Sequence, residues 1–213
     1  MLQHRGQDAA GMVVCEPSGK LNSRKSKGYV RDVFQQNHMS NLQGNFGIGH
    51  VRYPTAGGIG KEFAQPMYVN TPYGISLAHN GNLTNSKKLA AELFHAERRH
   101  INTDSDSEVL LNIFALELSK QEAVFPKPKD FFAAVEKTHL RINGAYAVVA
   151  LITGYGIVAF RDPLGIRPLT IGVRKGKNRN EYVVSSETAL FSATGFKVLR
   201  LSLIHISEPT RPV

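Results

Sequence analysis

The chain has 213 residues, 42% hydrophobic and 20% charged, which is enough length and apolar content for a globular core in one large domain or two small ones. Its net charge of +9 raises nucleic acid as a partner, but the basic residues are scattered (Arg24, Lys25 and Lys27; Lys87 and Lys88; Arg174 to Arg179) and no aromatic residues interleave them, so no nucleic acid is expected. One cysteine, Cys15, excludes an internal disulfide, no apolar run approaches a membrane span, and the opening Met1-Leu2-Gln3-His4-Arg5 has no apolar leader, so a cytoplasmic setting without membrane contact is expected.

In chain order, Leu2 to Gly11 is polar and then small, and runs directly into a strand at Met12 to Cys15. It reads as the exit from an element upstream, as if the chain were cut at its start. Pro17-Ser18-Gly19-Lys20 makes a turn, and Leu21 to Lys27 is a second, polar strand completing a hairpin. Val30 to Gln36 has a short helical pattern, and Met39 to Leu42 a short turn. Phe46 to Tyr53 reads as a strand that enters a loop with three glycines, Pro54 to Gly60. A further strand at Ile75 to Ala78 is expected to stop in a turn at Asn80-Gly81.

From Asn85 to Glu97, Leu89, Leu93 and Phe94 fall at helical spacing. Ser105 with Glu108 three residues on predicts a capping box, so Asp106 falls in the first turn of the next helix, where the macrodipole favours a carboxylate. Pro126-Lys127-Pro128 breaks the chain before a third helix marked by Phe131, Phe132, Val135, His139 and Ile142. Four strands follow, at Ala145 to Thr153, Gly156 to Phe160, Pro168 to Val173 and Tyr182 to Ser185. A short helix at Thr188 to Thr194 and a strand at Phe196 to Arg200 close the pattern. Strands, helices and strands again make an α+β order, compatible with two sheets stacked between helix layers. Residues 201–213 do not fit this pattern and read as a non-native tail, the translation of a sequencing adapter, leaving one domain over residues 1–200.

Arg52 at a strand end, Asn80-Gly81 at a turn and Asp106 at a helix start are three pieces able to serve one ligand. A free amino acid needs a guanidinium for its carboxylate and a carboxylate for its ammonium. An Asn amide and a Gly N–H are neutral donors suited to an oxyanion. The same residues also suit a surface arginine, a plain turn and ordinary helix electrostatics.

The segments Leu2 to Gly11, Gly49-His50-Val51-Arg52-Tyr53-Pro54-Thr55-Ala56-Gly57, His79-Asn80-Gly81-Asn82-Leu83 and Ser105-Asp106-Ser107-Glu108 closely resemble the class II glutamine amidotransferase domain of the amidophosphoribosyltransferases. Arg161-Asp162-Pro163-Leu164-Gly165-Ile166-Arg167-Pro168-Leu169 and Ser185-Ser186-Glu187-Thr188 continue the match, which covers Leu2 to Arg200 in order. The resemblance implies a four-layer αββα N-terminal-nucleophile hydrolase fold. In that family a cysteine at the mature N-terminus attacks the glutamine amide, with its own α-amino group as base. The ammonia passes to a phosphoribosyltransferase domain and displaces pyrophosphate from phosphoribosyl pyrophosphate, giving 5-phosphoribosylamine for purine synthesis.

Carried over by position, Arg52 grips the glutamine carboxylate, Asp106 holds its ammonium, and Asn80 and Gly81 form the oxyanion hole. Tyr53 and Thr55 belong to the loop that closes over glutamine, His79 joins the substrate-binding set, and Arg5 lies beside the nucleophile. The sequence departs from the family at its start. It begins at Met1-Leu2, past the family's Cys-Gly-Ile run, so the nucleophile and the first strand are expected to be missing and the fragment inactive. Cys15 matches no catalytic position and reads as a core residue. The phosphoribosyltransferase domain, and the Mg²⁺ used there, fall outside these residues; no cofactor is expected within them, and the parent is expected to be a homo-oligomer. The alternatives are a non-catalytic glutamine-binding module, or another class II amidotransferase such as the glucosamine-6-phosphate synthase type.

Overall fold

Alternating side chains at the start of the chain build a hairpin, β1 (Ala9–Cys15) and β2 (Leu21–Lys27). The computed structural model describes residues 1–53, 60–121, 123, 125–177 and 179–201, without the side chains of 200 and 201. Two single-turn helices follow the hairpin, α1 (Val30–Val33) and α2 (Gln36–Met39), and then β3 (Phe46–Arg52), which pairs with β1 on the side away from β2. The expected helix at Val30 to Gln36 is thus realised only over Val30–Val33, where Val33 alone is buried, and a second helical turn begins at Gln36.

Next come β4 (Met67–Val69), β5 (Ile75–Leu83), α3 (Ser86–His95), α4 (Asp106–Ser119) and α5 (Pro128–Arg141). Proline at the first position of α5 needs no N–H partner there, and it marks the helix start where the sequence breaks. The chain ends with β6 (Gly144–Ile152), β7 (Gly156–Arg161), β8 (Thr170–Lys175), β9 (Asn180–Ser185), α6 (Ala189–Thr194) and β10 (Lys197–Leu201). The last strand includes Leu201, opposite Thr170, so it runs one residue into the stretch expected to be non-native; residues 202–213 lie outside the described residues.

Among the described residues all pairings are antiparallel, and they form three sheets: β4-β5-β6-β7, β2-β1-β3 and β10-β8-β9. The four-stranded sheet is central, and its alternation sorts its two faces. Ile75, Leu77, Val148, Ala150 and Phe160 point to one side and form the main core with Leu110, Phe114 and Phe131 of the helices. Ala78 and Leu151 point to the other side and meet Val13, Cys15 and Ile48 of the first sheet. Ala147 and Ala159, on that same face, meet Leu169 just before β8. The two three-stranded sheets therefore share one face of the central sheet, and α3 to α5 cover the other. Beyond them α6 lays Phe191 over Gly172 of β8, and the Val33 carbonyl of α1 takes a hydrogen bond from Arg24 of β2. The result is an αββα order with a thin outer helix layer. Expected apolar faces are only partly realised: Leu89 and Leu93 are buried, whereas Phe94 and Phe132 are exposed, because α3 and α5 each turn only one stripe toward α4.

Candidate active site

β5 changes character along its length. Ile75 to Leu77 pair with β4 on one side and β6 on the other, whereas His79 to Leu83 keep only β6. The expected turn at Asn80-Gly81 is absent: both residues lie inside the strand, opposite Ala147 and Tyr146. Gly81 is needed for close approach rather than for chain reversal. Its φ is +156°, and a Cβ there would run into the Ala145 carbonyl oxygen of β6.

The edge of β5 that β4 leaves open is served by side chains. The His79 N–H donates to Oε1 of Gln65 at 2.7 Å, and the Leu83 N–H donates to Oδ2 of Asp106 at 2.9 Å. In an antiparallel strand alternate residues present their N–H groups on the same edge. The Gly81 N–H therefore faces the same open edge, between the two occupied ones. The Asn80 side chain turns to the sheet's other face, and its amide donates to the Ser186 hydroxyl at 3.2 Å.

Asp106 is the first residue of α4, and Ser105 caps that helix by accepting from the Ser107 N–H at 3.3 Å. Only this half of the expected capping box forms. Glu108 reaches past Ser105 and instead accepts from the N–H groups of Asn102 (2.9 Å) and Thr103 (2.8 Å) and from the Thr103 hydroxyl (2.6 Å). The Asp106 carboxylate lies 3.8 Å from Nδ1 of His79. That ring is buried, and burial keeps its pKa below the ordinary value despite the opposing pull of Asp106. His50 of β3 bonds to the His79 backbone, and burial is the main reason its pKa falls to about 4. Both rings are therefore neutral at pH 7.

Arg52 ends β3 and is buried, not a surface arginine. Its guanidinium pairs with the buried carboxylate of Asp8 and lies 5.3 Å from the Phe63 ring centroid. The planar fork carries five N–H donors, so it can serve more than one acceptor at once. Arg5 donates to Glu187 at 2.6 Å, and His4 lies 2.9 Å from the other oxygen of that carboxylate. The Arg5 bond is the main reason the Glu187 carboxyl sits below its usual range.

Arg5, Arg52, Tyr53, His79, Asn80, Gly81 and Asp106 all line one cavity of about 1470 Å³. Thr55 lies outside the described residues. Residues of β3 and of β9 line the cavity, as do Ala147, Val149 and Ala159 of the central sheet. β3 and β9 are each the edge strand of a three-stranded sheet among the described residues. Cys15 is not part of this lining; it is packed between the first sheet and the central one, and burial pushes its thiol pKa up. Among the described residues no group of three or more His, Cys, Asp or Glu is placed to hold a metal ion, and no helix is long and apolar enough to cross a membrane. Asp8, Gln65, Ser107 and Ser186 also belong to the site's surroundings, and sequence reasoning did not single them out. The partners they contact are 14 to 106 positions away, or one residue away as a routine helix start, so spacing carries little signal for them.

A family model described as a glutamine amidotransferase domain matches residues 59–193. The chain is similar to the amidophosphoribosyltransferase of Pseudomonas aeruginosa, 57% identical over 200 residues, and to that of Escherichia coli, 56% identical over 201 residues. Each match takes in 94% of this chain and 40% of the relative, so the chain spans about two fifths of their length. Among solved structures it is similar to the glutamine phosphoribosylpyrophosphate amidotransferase from B. subtilis, with a TM-score of 0.78 and 34% identity over 95% of this chain and 41% of that one.

Proposed function

The chain belongs to the glutamine amidotransferase domain family, and from that premise we propose that it is the glutaminase part of a longer amidophosphoribosyltransferase. In this reading it takes ammonia from glutamine and hands it to a phosphoribosyltransferase domain, which makes 5-phosphoribosylamine from phosphoribosyl pyrophosphate. The observation that carries the reading is that one cavity gathers a guanidinium, a carboxylate at a helix start and two neutral donors from adjacent residues of one strand. Arg52 takes the glutamine α-carboxylate and Asp106 its ammonium. The Asn80 amide and the Gly81 N–H receive the oxyanion as the side-chain carbonyl becomes tetrahedral. His79, being neutral, adds no charge that would compete with the ammonium for Asp106. Tyr53 and Thr55 close over the substrate, and Arg5 sits on the cavity wall near the nucleophile.

Cys15 is not that nucleophile, because its thiol is sealed between sheets and kept protonated. The nucleophile belongs to an extended segment outside the 213 residues, whose N-terminal cysteine enters between β3 and β9. The two strand edges and the size of the cavity support this placement. In this reading the 213 residues by themselves release no ammonia from glutamine. The Mg²⁺ that accompanies phosphoribosyl pyrophosphate goes to the phosphoribosyltransferase domain, and the site within this chain uses none. The parent is a cytoplasmic homo-oligomer.

Ammonia release from glutamine by the longer polypeptide tests this reading. Arg52→Ala or Asp106→Ala is expected to weaken glutamine use about a hundredfold, since each removes one partner of a desolvated charge pair. Turnover by the 213 residues that survives Cys15→Ala would overturn the account of the nucleophile. A second reading, a glutamine-binding module without chemistry, is favoured by the inert setting of Cys15 alone. It predicts a saturable calorimetric signal for glutamine with no ammonia released by any longer form.

A further inference from the structure

The two ends of the site are held by different elements. Gly81 belongs to β5 in the central sheet, whereas Asp106 belongs to α4 in the helix layer. A ligand spanning both needs their relative position fixed to a fraction of an ångström. One side chain bridges them. Gln65 is buried, accepts from the His79 N–H of β5 at 2.7 Å and donates from Nε2 to the Ser107 hydroxyl of α4 at 2.9 Å. These two bonds also set which way its amide points. The Ser107 hydroxyl in turn lies 3.0 Å from Nδ1 of His79 and 3.4 Å from Oδ1 of Asp106.

The backbone of Gln65 is itself braced. It packs so closely on β1 that a Cβ at Gly11 would run into the Gln65 carbonyl oxygen. Its side chain therefore starts from a fixed point outside both elements it joins. It also takes the N–H next in line to Gly81 on the open edge, while His50 holds the His79 backbone from β3. Without Gln65, the His79 N–H would be buried without a partner and the strand edge would be free to shift toward it.

We propose that Gln65 is a positioning residue, which through its paired bonds to His79 and Ser107 sets the Gly81 N–H and the Asp106 carboxylate at the separation that glutamine requires. This rests on the proposed glutaminase function and deepens it. Gln65 acts on both ends, so its loss affects both turnover and substrate binding. Ser107 reaches β5 only through the His79 ring and leaves the Gln65 bond to the strand's backbone edge in place, so its loss affects binding far more than turnover.

The test uses the longer polypeptide, assayed once with glutamine and once with ammonium chloride as the nitrogen source. Gln65→Met is expected to raise KM for glutamine about tenfold and to lower kcat about ten- to a hundredfold. Ser107→Ala is expected to raise KM about tenfold with kcat within threefold of wild type. Both variants are expected to keep the ammonium-driven rate, which excludes general unfolding. Gln65→Met with kcat and KM within twofold of wild type would overturn the proposal, as would Ser107→Ala lowering kcat as far as Gln65→Met does. Loss of the ammonium-driven rate in Gln65→Met would also overturn it, since Gln65 would then support the whole fold. A wild-type polypeptide that uses ammonium but not glutamine would instead overturn the glutaminase reading, and this proposal with it.

Discussion

On the helix side of the central sheet, Leu77, Val148 and Phe160 are sealed under α4 and α5, whereas on the other side Ala78, Ala147 and Ala159 leave room for a cavity of about 1470 Å³. The same strands supply both faces, one residue apart. Leu77, Val148 and Phe160 at one parity fill their layer, and Ala78, Ala147 and Ala159 at the other parity leave theirs open beside the cavity. Stability and site are thus written into alternate positions of one element. Substitutions at the two parities should fail in different ways.

The largest stability effect belongs to the filled face. Phe114 is fully buried against Phe160, with ring centroids 5.6 Å apart. Phe114→Ala is expected to cost about 3–5 kcal/mol in urea denaturation, since the cavity it leaves cannot collapse. A cost near 1 kcal/mol would show that the helix layer packs no more tightly than the open face.

The next effect comes from the open face and depends on pH. In the folded chain the half-buried His50 ring is held at about 4, below the ordinary value of 6.5, chiefly by desolvation. Between these values the unfolded chain binds the extra proton and the folded chain does not. Stability is therefore full above pH 6.5 and falls as pH drops toward 4. The burial of His79 adds to the fall in the same direction. His50→Gln should flatten the denaturation midpoint between pH 4.5 and 6.5, and an unchanged slope would remove His50 from the account.

A smaller effect on stability should accompany a large effect on chemistry. Asn80→Ala removes one hydrogen bond to Ser186 and is expected to cost about 1 kcal/mol or less. In the longer polypeptide it should lower kcat for glutamine by about a hundred- to a thousandfold, as loss of an oxyanion donor does. Equal losses of stability and activity would merge the two faces into one. The smallest effect is expected off both faces, where Phe94 is 56% exposed. Phe94→Ser should change the unfolding free energy by no more than about 0.5 kcal/mol.

Most elements were legible because their periods are strong. β2 has the boundaries that its turn residues predict, and β6 to β9 fall within two residues of the expected positions. Asn80-Gly81 misled because the pair favours turns locally, whereas nine consecutive cross-strand partners on β6 carry the strand through it. The Ser105 cap was visible, but Glu108 found better donors in the preceding loop. Arg52, Asp106, Asn80 and Gly81 were legible as candidates by type and by family motif, and the cavity gathers them. Asp8 and Gln65 were not, since a buried ion pair across 44 positions or an amide bridging 14 and 42 positions leaves no mark in local spacing.

The position of Cys15 has a practical consequence. As the sole thiol of these 213 residues, shut between two sheets, it makes the folded chain nearly silent toward alkylating dyes. Its rate of labelling then reports how often the sheets part, an internal clock for breathing of the sandwich. With Cys15 shielded, a cysteine introduced at an exposed site such as Leu164 would accept a fluorophore at that one place, with no need to remove the native sulfur first.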